Sequence, residues 1–203
     1  MVPEYMLKKG FFILIIFNFS LCHGQEDSIT KLAINRYDLK VSYLSSLIYP
    51  GVSAGIEFPV RNATRKQVIK DRLISANLNW YHHTDFHDNV YLTAEWEMRR
   101  ANKNGIISEF SFGPGYSRTF LGGTTYRVNN SGDISVVKLA GYSYAMITIG
   151  GGFGIDLYEK KKIPFLAMAK MNLISLFPYN SSIYFRPVLE LGIRYLPWRF
   201  NKN

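Results

Sequence analysis

The sequence predicts an all-β fold, an antiparallel up-and-down transmembrane β-barrel of eight strands. Three observations lead there. Segment after segment alternates apolar and polar residues with period two, as a strand with two unlike faces does. Several of these segments exceed the roughly 9–11 tilted residues that a strand needs to cross a bilayer. The polar face is rich in Asn, Ser, Thr, Tyr and Gly with charges of both signs, unlike an ordinary Lys/Glu solvent surface.

The chain has 203 residues, 47% of them hydrophobic, which suits one domain. Its start reads as an export signal. Lys8 and Lys9 precede the apolar run "GFFILIIFNFSL", and Cys22 and Gly24 are small residues at the cleavage positions before Gln25. The run is shorter than the roughly 20 residues of a spanning helix. Residues 1–24 are therefore expected to be a cleaved signal peptide, 25–37 an N-terminal periplasmic segment, 38–197 the barrel and 198–203 a C-terminal tail. The lone cysteine leaves with the signal, so the mature chain has no disulfide or Cys-metal chemistry.

The strands follow in order. The clearest are expected over Val52–Val60, Asp71–Tyr81, Val90–Arg99, Ile106–Ser117, Tyr142–Tyr158, Ile163–Leu176 and Ser182–Leu196. In "VYLTAEWEMRR", Val90, Leu92, Ala94, Trp96 and Met98 share one face, and Thr93, Glu95, Glu97 and Arg99 lie opposite. Between strands lie the polar turns "NKNG" (Asn102–Gly105) and "EKKK" (Glu159–Lys162) and a long connection, Arg118–Gly141, parts of which could pair as a hairpin. If that connection is external, the two short turns are periplasmic and Val52–Val60 runs inward. A strand must then carry the chain outward first. Asp38–Ile48 is available, with "YPGV" (Tyr49–Val52) as the tight turn, and the count becomes the even number of bacterial barrels.

A barrel of eight strands has an interior that side chains fill. The polar faces would place Glu57, Glu95, Glu97, Glu109, Asp156 and Glu190 there, opposite Arg99, Lys170, Arg186 and Arg194, as a paired lumen network. Leu78, Trp80, Leu92, Ala94, Trp96, Met171, Leu189 and Leu191 would face lipid, with Trp80, Trp96 and Tyr195 among the aromatic girdles. A secreted soluble barrel that binds an apolar ligand would instead turn these apolar faces inward.

The signal sequence, "YPGVSAGIEFPV", the Gly/aromatic strands and the closing "RPVLELGIRYL" together resemble the small outer-membrane β-barrel proteins of Bacteroidetes-type bacteria. The resemblance implies residence in the outer membrane and contact with its lipid and lipopolysaccharide. It also implies insertion by the barrel-assembly machinery. Such chains usually end on an aromatic residue; here "PWRFNKN" trails the last strand. The net charge of +9 suits anionic head groups in an exported chain, and no nucleic-acid partner is expected.

Two candidate sites draw on "WYHHTDFHDN", the second together with Glu95. His82, His83 and His87 are imidazoles that suit zinc or copper, although their spacing matches no strong motif. Lipid A deacylases are small barrels similar to this one, with a His-x-Ser pair and a later Glu acting as a hydrolase triad. That resemblance would carry over to His82, Thr84 and Glu95. Thr replaces Ser, Asp85 replaces the usual Asn, and Glu95 has lumen parity whereas His82 shares the parity of Trp80. "IGGGFG" lacks the lysine of a phosphate loop, and the sequence implies no cofactor. Three functions are consistent with these residues: a non-enzymatic outer-membrane barrel, structural or binding through its loops; a lipid A-modifying hydrolase; and the soluble ligand-binding barrel.

Overall fold

The computed structural model describes residues 36–46, 49–65, 68–84, 86–180 and 182–202. The expected signal peptide, nearly all of the 25–37 segment and Asp85 lie outside them. Eight long strands form the barrel wall: β1 (Asp38–Ser46), β2 (Tyr49–Arg65), β3 (Val68–His83), β4 (His87–Ala101), β5 (Ile106–Leu121), β8 (Ser143–Asp156), β9 (Phe165–Tyr179) and β10 (Ser182–Tyr195). Two short strands, β6 (Thr125–Val128) and β7 (Ile134–Val137), make a separate hairpin between β5 and β8.

Every neighbouring pair in the wall is antiparallel, and the ring closes in the order β1-β10-β9-β8-β5-β4-β3-β2. The expected fold class therefore stands at the level of an all-β, eight-stranded, up-and-down barrel. Because β1 pairs with β10, the ring itself has no edge strand. Among the described residues no helix is long and apolar enough to cross a membrane.

Several strands run longer than the sequence predicts, β2 to Arg65 and β5 to Leu121, and three segments differ in kind. Tyr49–Val52 is not a turn: Tyr49 pairs with Ser46 and Pro50 with Ser45, so β2 has already begun. A Pro-Gly pair reads as a turn, but proline is also accommodated at the start of a strand, where Pro50 sits. Leu47 and Ile48, between the two strands, lie outside the described residues. The Glu159–Lys162 turn lies largely within a single helical turn, α1 (Leu157–Lys161). Asp156 caps it by accepting from the Tyr158 N–H at 2.9 Å, and Lys162 ends it in the left-handed region at φ 57°. The chain closes with a 3-10 helix, Pro197–Lys202, which takes up most of the expected tail.

The Asn102–Gly105 turn is built by its first residue. Asn102 Oδ1 accepts from the N–H groups of Asn104 and Ile106, both at 3.0 Å, and Gly105 takes a positive φ of 75° that other residues resist. Alternation of the strands puts this turn, α1, the 3-10 helix and the start of β1 at one end of the barrel, its base. The His83–His87 connection, the β6–β7 hairpin and the β9–β10 turn lie at the other end, its mouth.

The two faces of the wall are inverted relative to a water-soluble barrel. Leu78, Trp80, Leu92, Ala94, Met171, Leu189 and Leu191 are exposed on the outside, and Trp96 is half-buried there. Glu57, Glu95, Glu97, Arg99, Glu109, Asp156, Lys170, Arg186, Glu190 and Arg194 are all buried inside. The soluble-barrel alternative required the opposite facing.

Candidate functional site

The interior is layered, and the layers follow from register. Near the base, β1, β2, β4, β5 and β10 point Asp38, Glu57, Glu97, Arg99, Glu109 and Arg194 at one another. Arg194 is 0% exposed. Its Nε donates to Glu57 at 2.6 Å, and its two Nη groups fork onto Glu109 at 2.7 and 3.2 Å. Arg99 donates to the other Glu57 oxygen at 2.5 Å and to Asp38 at 3.4 Å. Glu57 is thus held between two guanidiniums. Glu97 is less well served: Ser75 donates to its Oε1 at 3.0 Å, but its Oε2 accepts no hydrogen bond. Carboxylates outnumber guanidiniums in this layer.

The floor is closed by the C-terminal 3-10 helix. Trp198 Nε1 donates to Asp38 at 2.9 Å, and Arg199 forks onto Asp156 at 2.6 and 2.7 Å. Leu196 packs with Ile107, Leu166 and Met168. Asp156 therefore belongs to the base, as helix cap and anchor, more than to the central network.

In the middle layer Lys170 donates to Glu95 at 2.9 Å, and Lys40 reaches Glu190 at 3.0 Å. Ser42 and Asn172 donate to Glu190 at 2.7 and 3.0 Å, and Ser111 and Thr93 to Glu95 at 2.7 and 3.0 Å. Gly150 makes room for this: a Cβ there would lie 2.0 Å from Asn172 Oδ1 and 2.7 Å from Lys170 Cε. The cavity bordered by Lys40, Glu95, Asn172 and Glu190 holds about 10 Å³, at the lower limit for one water. Among the described residues the side chains fill the middle layer around it.

Above the charges lies an apolar collar of Leu44, Tyr81, Tyr91, Met146, Ile174, Leu176 and Val188. Above the collar is a cup of about 390 Å³ at the mouth. Its walls are largely aromatic. Tyr49 stacks on His83 at 4.0 Å, and Tyr179 stands 5.4 Å from Tyr144 and 4.8 Å from Tyr184 between ring centroids. Arg186 lines the cup and is 5% exposed. It donates through Nη1 to the Tyr81 hydroxyl and lies over the rings of Tyr81 and Tyr91 at 4.3 and 5.7 Å.

The sequence-derived sites separate. His82 is on the outer side of the mouth, exposed, with its Nδ1 2.8 Å from Asp88. Glu95 is buried in the middle layer on Lys170. Thr84 is exposed in the loop. The structure does not assemble His82, Thr84 and Glu95. His83 and His87 do meet, with ring centroids 4.9 Å apart, but His82 points away from them. Among the described residues no group of three His, Cys, Asp or Glu side chains is placed to hold a metal ion.

Asp38 and Lys40 are lumen charges that sequence reading missed. Their signal was present: Asp38, Lys40, Ser42 and Ser46 share one parity, with Leu39, Val41 and Tyr43 on the other. Leu44, inward because it belongs to the apolar collar, breaks the pattern.

No family model matches the chain, and no curated protein matches it. Among solved structures, the N-terminal β-barrel domain of Pseudomonas aeruginosa OprF is 12% identical, with a TM-score of 0.47 over 79% of this chain and 98% of that one. Ail, the attachment invasion locus protein of Yersinia pestis, is 9% identical, with a TM-score of 0.46 over 79% and 97%. The outer membrane enzyme PagL is 11% identical, with a TM-score of 0.47 over 79% and 98%. The likeness concerns the path of the chain; no residue role passes from these proteins to this one.

Proposed function

We propose that this chain is an integral outer-membrane β-barrel protein of the small kind found in Bacteroidetes-type bacteria. In this reading residues 1–24 are a cleaved signal peptide, 25–37 a periplasmic segment and 38–197 the membrane barrel, followed by the tail at 198–203. Its base faces the periplasm and its mouth the exterior. Its wall contacts lipid and lipopolysaccharide, and the barrel-assembly machinery inserts it. It is non-enzymatic: the lumen is filled, and its work is structural or done through the mouth and loops.

The observation that carries this is the inverted polarity of the wall. Leu92 is 54%, Met171 65% and Phe153 71% exposed, while Arg194, Lys40 and Lys170 are among the largest fully buried side chains. Water would punish both choices. A bilayer rewards the first, and the closed, ion-paired interior satisfies the second. The packed middle layer supports a barrel without a solute path.

Two measurements test the reading. Detergent-extracted protein should run faster on a gel unheated than boiled, as a closed barrel does. In planar bilayers the purified protein should give no steady conductance. A chain that partitions wholly into the soluble fraction, or a large stable channel, would overturn it.

A further inference from the structure

We propose that the cup at the mouth binds a small oxyanion, a carboxylate or phosphate ester carried on a planar body, with Arg186 as its anchor. The proposal goes beyond the membrane assignment and does not depend on it.

Every other buried base in the lumen has a carboxylate. Lys40 has Glu190, Lys170 has Glu95, and Arg99 and Arg194 share Glu57 and Glu109. Among the described residues Arg186 has none, and none of the side chains lining the cup is acidic. Its Nη1 is taken by Tyr81, while Nε and Nη2 are buried with no hydrogen-bond partner. Those two nitrogens lie on one edge of the guanidinium, the edge whose parallel N–H groups match the two oxygens of a carboxylate or phosphate. A buried charged donor without an acceptor is costly, so the site is incomplete as the chain alone builds it.

The surroundings fix the rest of the ligand. The Tyr81 and Tyr91 rings under the guanidinium hold its plane. Tyr49, Tyr144, Tyr179 and Tyr184 supply faces on which a flat ring or sugar can stack. A volume of about 390 Å³ admits a small molecule and excludes a folded chain. Below, the collar and the packed middle layer end the path, so a ligand enters and leaves by the mouth. Arg186 lines the cup and is 5% exposed, so an anion that fills the cup meets its side chain.

The test is calorimetric titration of the full mature protein in an uncharged polyoxyethylene detergent. The probes are benzoate, phenyl phosphate and, as the neutral control, benzyl alcohol. Saturable binding of either anion is expected, about tenfold or more tighter than benzyl alcohol. Preference for benzoate would name a carboxylate source, and preference for phenyl phosphate a phosphate ester. Arg186→Gln, shown folded by its heat-dependent gel mobility, should reduce the anion to the level of the alcohol. If that variant does not fold, Tyr179→Ala decides with the wild-type comparison. It removes one ring, the neighbour of both Tyr144 and Tyr184, and should weaken benzoate about threefold while leaving the anion preference intact. No saturable anion binding by the wild type, equal affinity for benzyl alcohol, or a folded Arg186→Gln that binds unchanged would each overturn the proposal.

Discussion

Replacing Arg194 by Met should unfold this barrel far more readily than removing a neighbouring carboxylate. The side chain is fully buried and serves Glu57 at 2.6 Å and Glu109 at 2.7 Å. Met keeps most of the stem and deletes the charge. Glu109 would then retain only Arg99, at 3.8 Å, and Glu57 would lose one of its two guanidiniums. Asp38, Glu57, Glu97 and Glu109 would be left around a single arginine. Breaking a buried pair by deleting one partner costs about 3–5 kcal/mol, because the other charge stays buried and uncompensated. The control is Glu97→Gln. Glu97 Oε2 accepts no hydrogen bond and lies 3.6 Å from both Arg99 and Arg194, each of which has closer carboxylates, and its Oε1 accepts from the Ser75 hydroxyl, as a glutamine oxygen also can. That change relieves an excess of negative charge and should cost less than about 1 kcal/mol. The assay is urea unfolding of protein refolded into lipid vesicles, followed by tryptophan fluorescence. With a slope of about 1–3 kcal/mol per molar urea, the Arg194→Met midpoint should fall by about 1 M or more. A midpoint within about 0.3 M of wild type, well inside that expected drop, would refute the reasoning, as would an equal fall for Glu97→Gln.

Three further outcomes are expected. Ala94→Arg, on the exposed outer wall, should destabilise the vesicle-embedded barrel by about 2–4 kcal/mol in the same urea assay; no change would mean that this face meets water. Gly150→Leu drives a side chain into Asn172 and Lys170 and should lower stability by about 1–3 kcal/mol without altering the outer face, as read by the same midpoint. His82→Ala should leave both gel mobility and the mass spectrum of cellular lipid A unchanged, since His82 is exposed and remote from Glu95's partners; an acyl chain restored only in the variant would establish a hydrolase.

The strands were legible wherever an outward apolar residue faced an inward polar one. "VYLTAEWEMRR" is such a stretch from Tyr91 to Arg99: Tyr91, Thr93, Glu95, Glu97 and Arg99 are buried, and the residues between them lie outside. Alternation failed as a guide where both faces are apolar. In "NLISLF", Leu173 is outside and Ile174 and Leu176 are inside, because the collar is oily. The same collar hid β1, where inward Leu44 interrupts Asp38, Lys40 and Ser42. The closure of the base by the 3-10 helix could not be read. Trp198 finding Asp38 and Arg199 finding Asp156 are contacts between distant parts of the chain, and no local pattern encodes them. The cup was missed for a related reason. Tyr49, Tyr81, Tyr144, Tyr179 and Arg186 come from five different strands, and Tyr49 and Tyr179 lie outside the strands expected from the sequence.

The junction of β1 with β10 has a consequence for biogenesis. It joins the first strand to the last, and the Ser42–Glu190 hydrogen bond spans 148 positions of the chain. Such a contact can form only when nearly the whole polypeptide is present, and closing so long a span is slow. Until then Lys40 has no Glu190, Glu190 has lost two of its three donors, and β1 presents a bare hydrogen-bonding edge. A chain cut short before Ser182 would keep every hairpin up to β9 and still carry an unmatched ammonium on an open sheet. The Lys40–Glu190 pair thus forms only once the ring is complete.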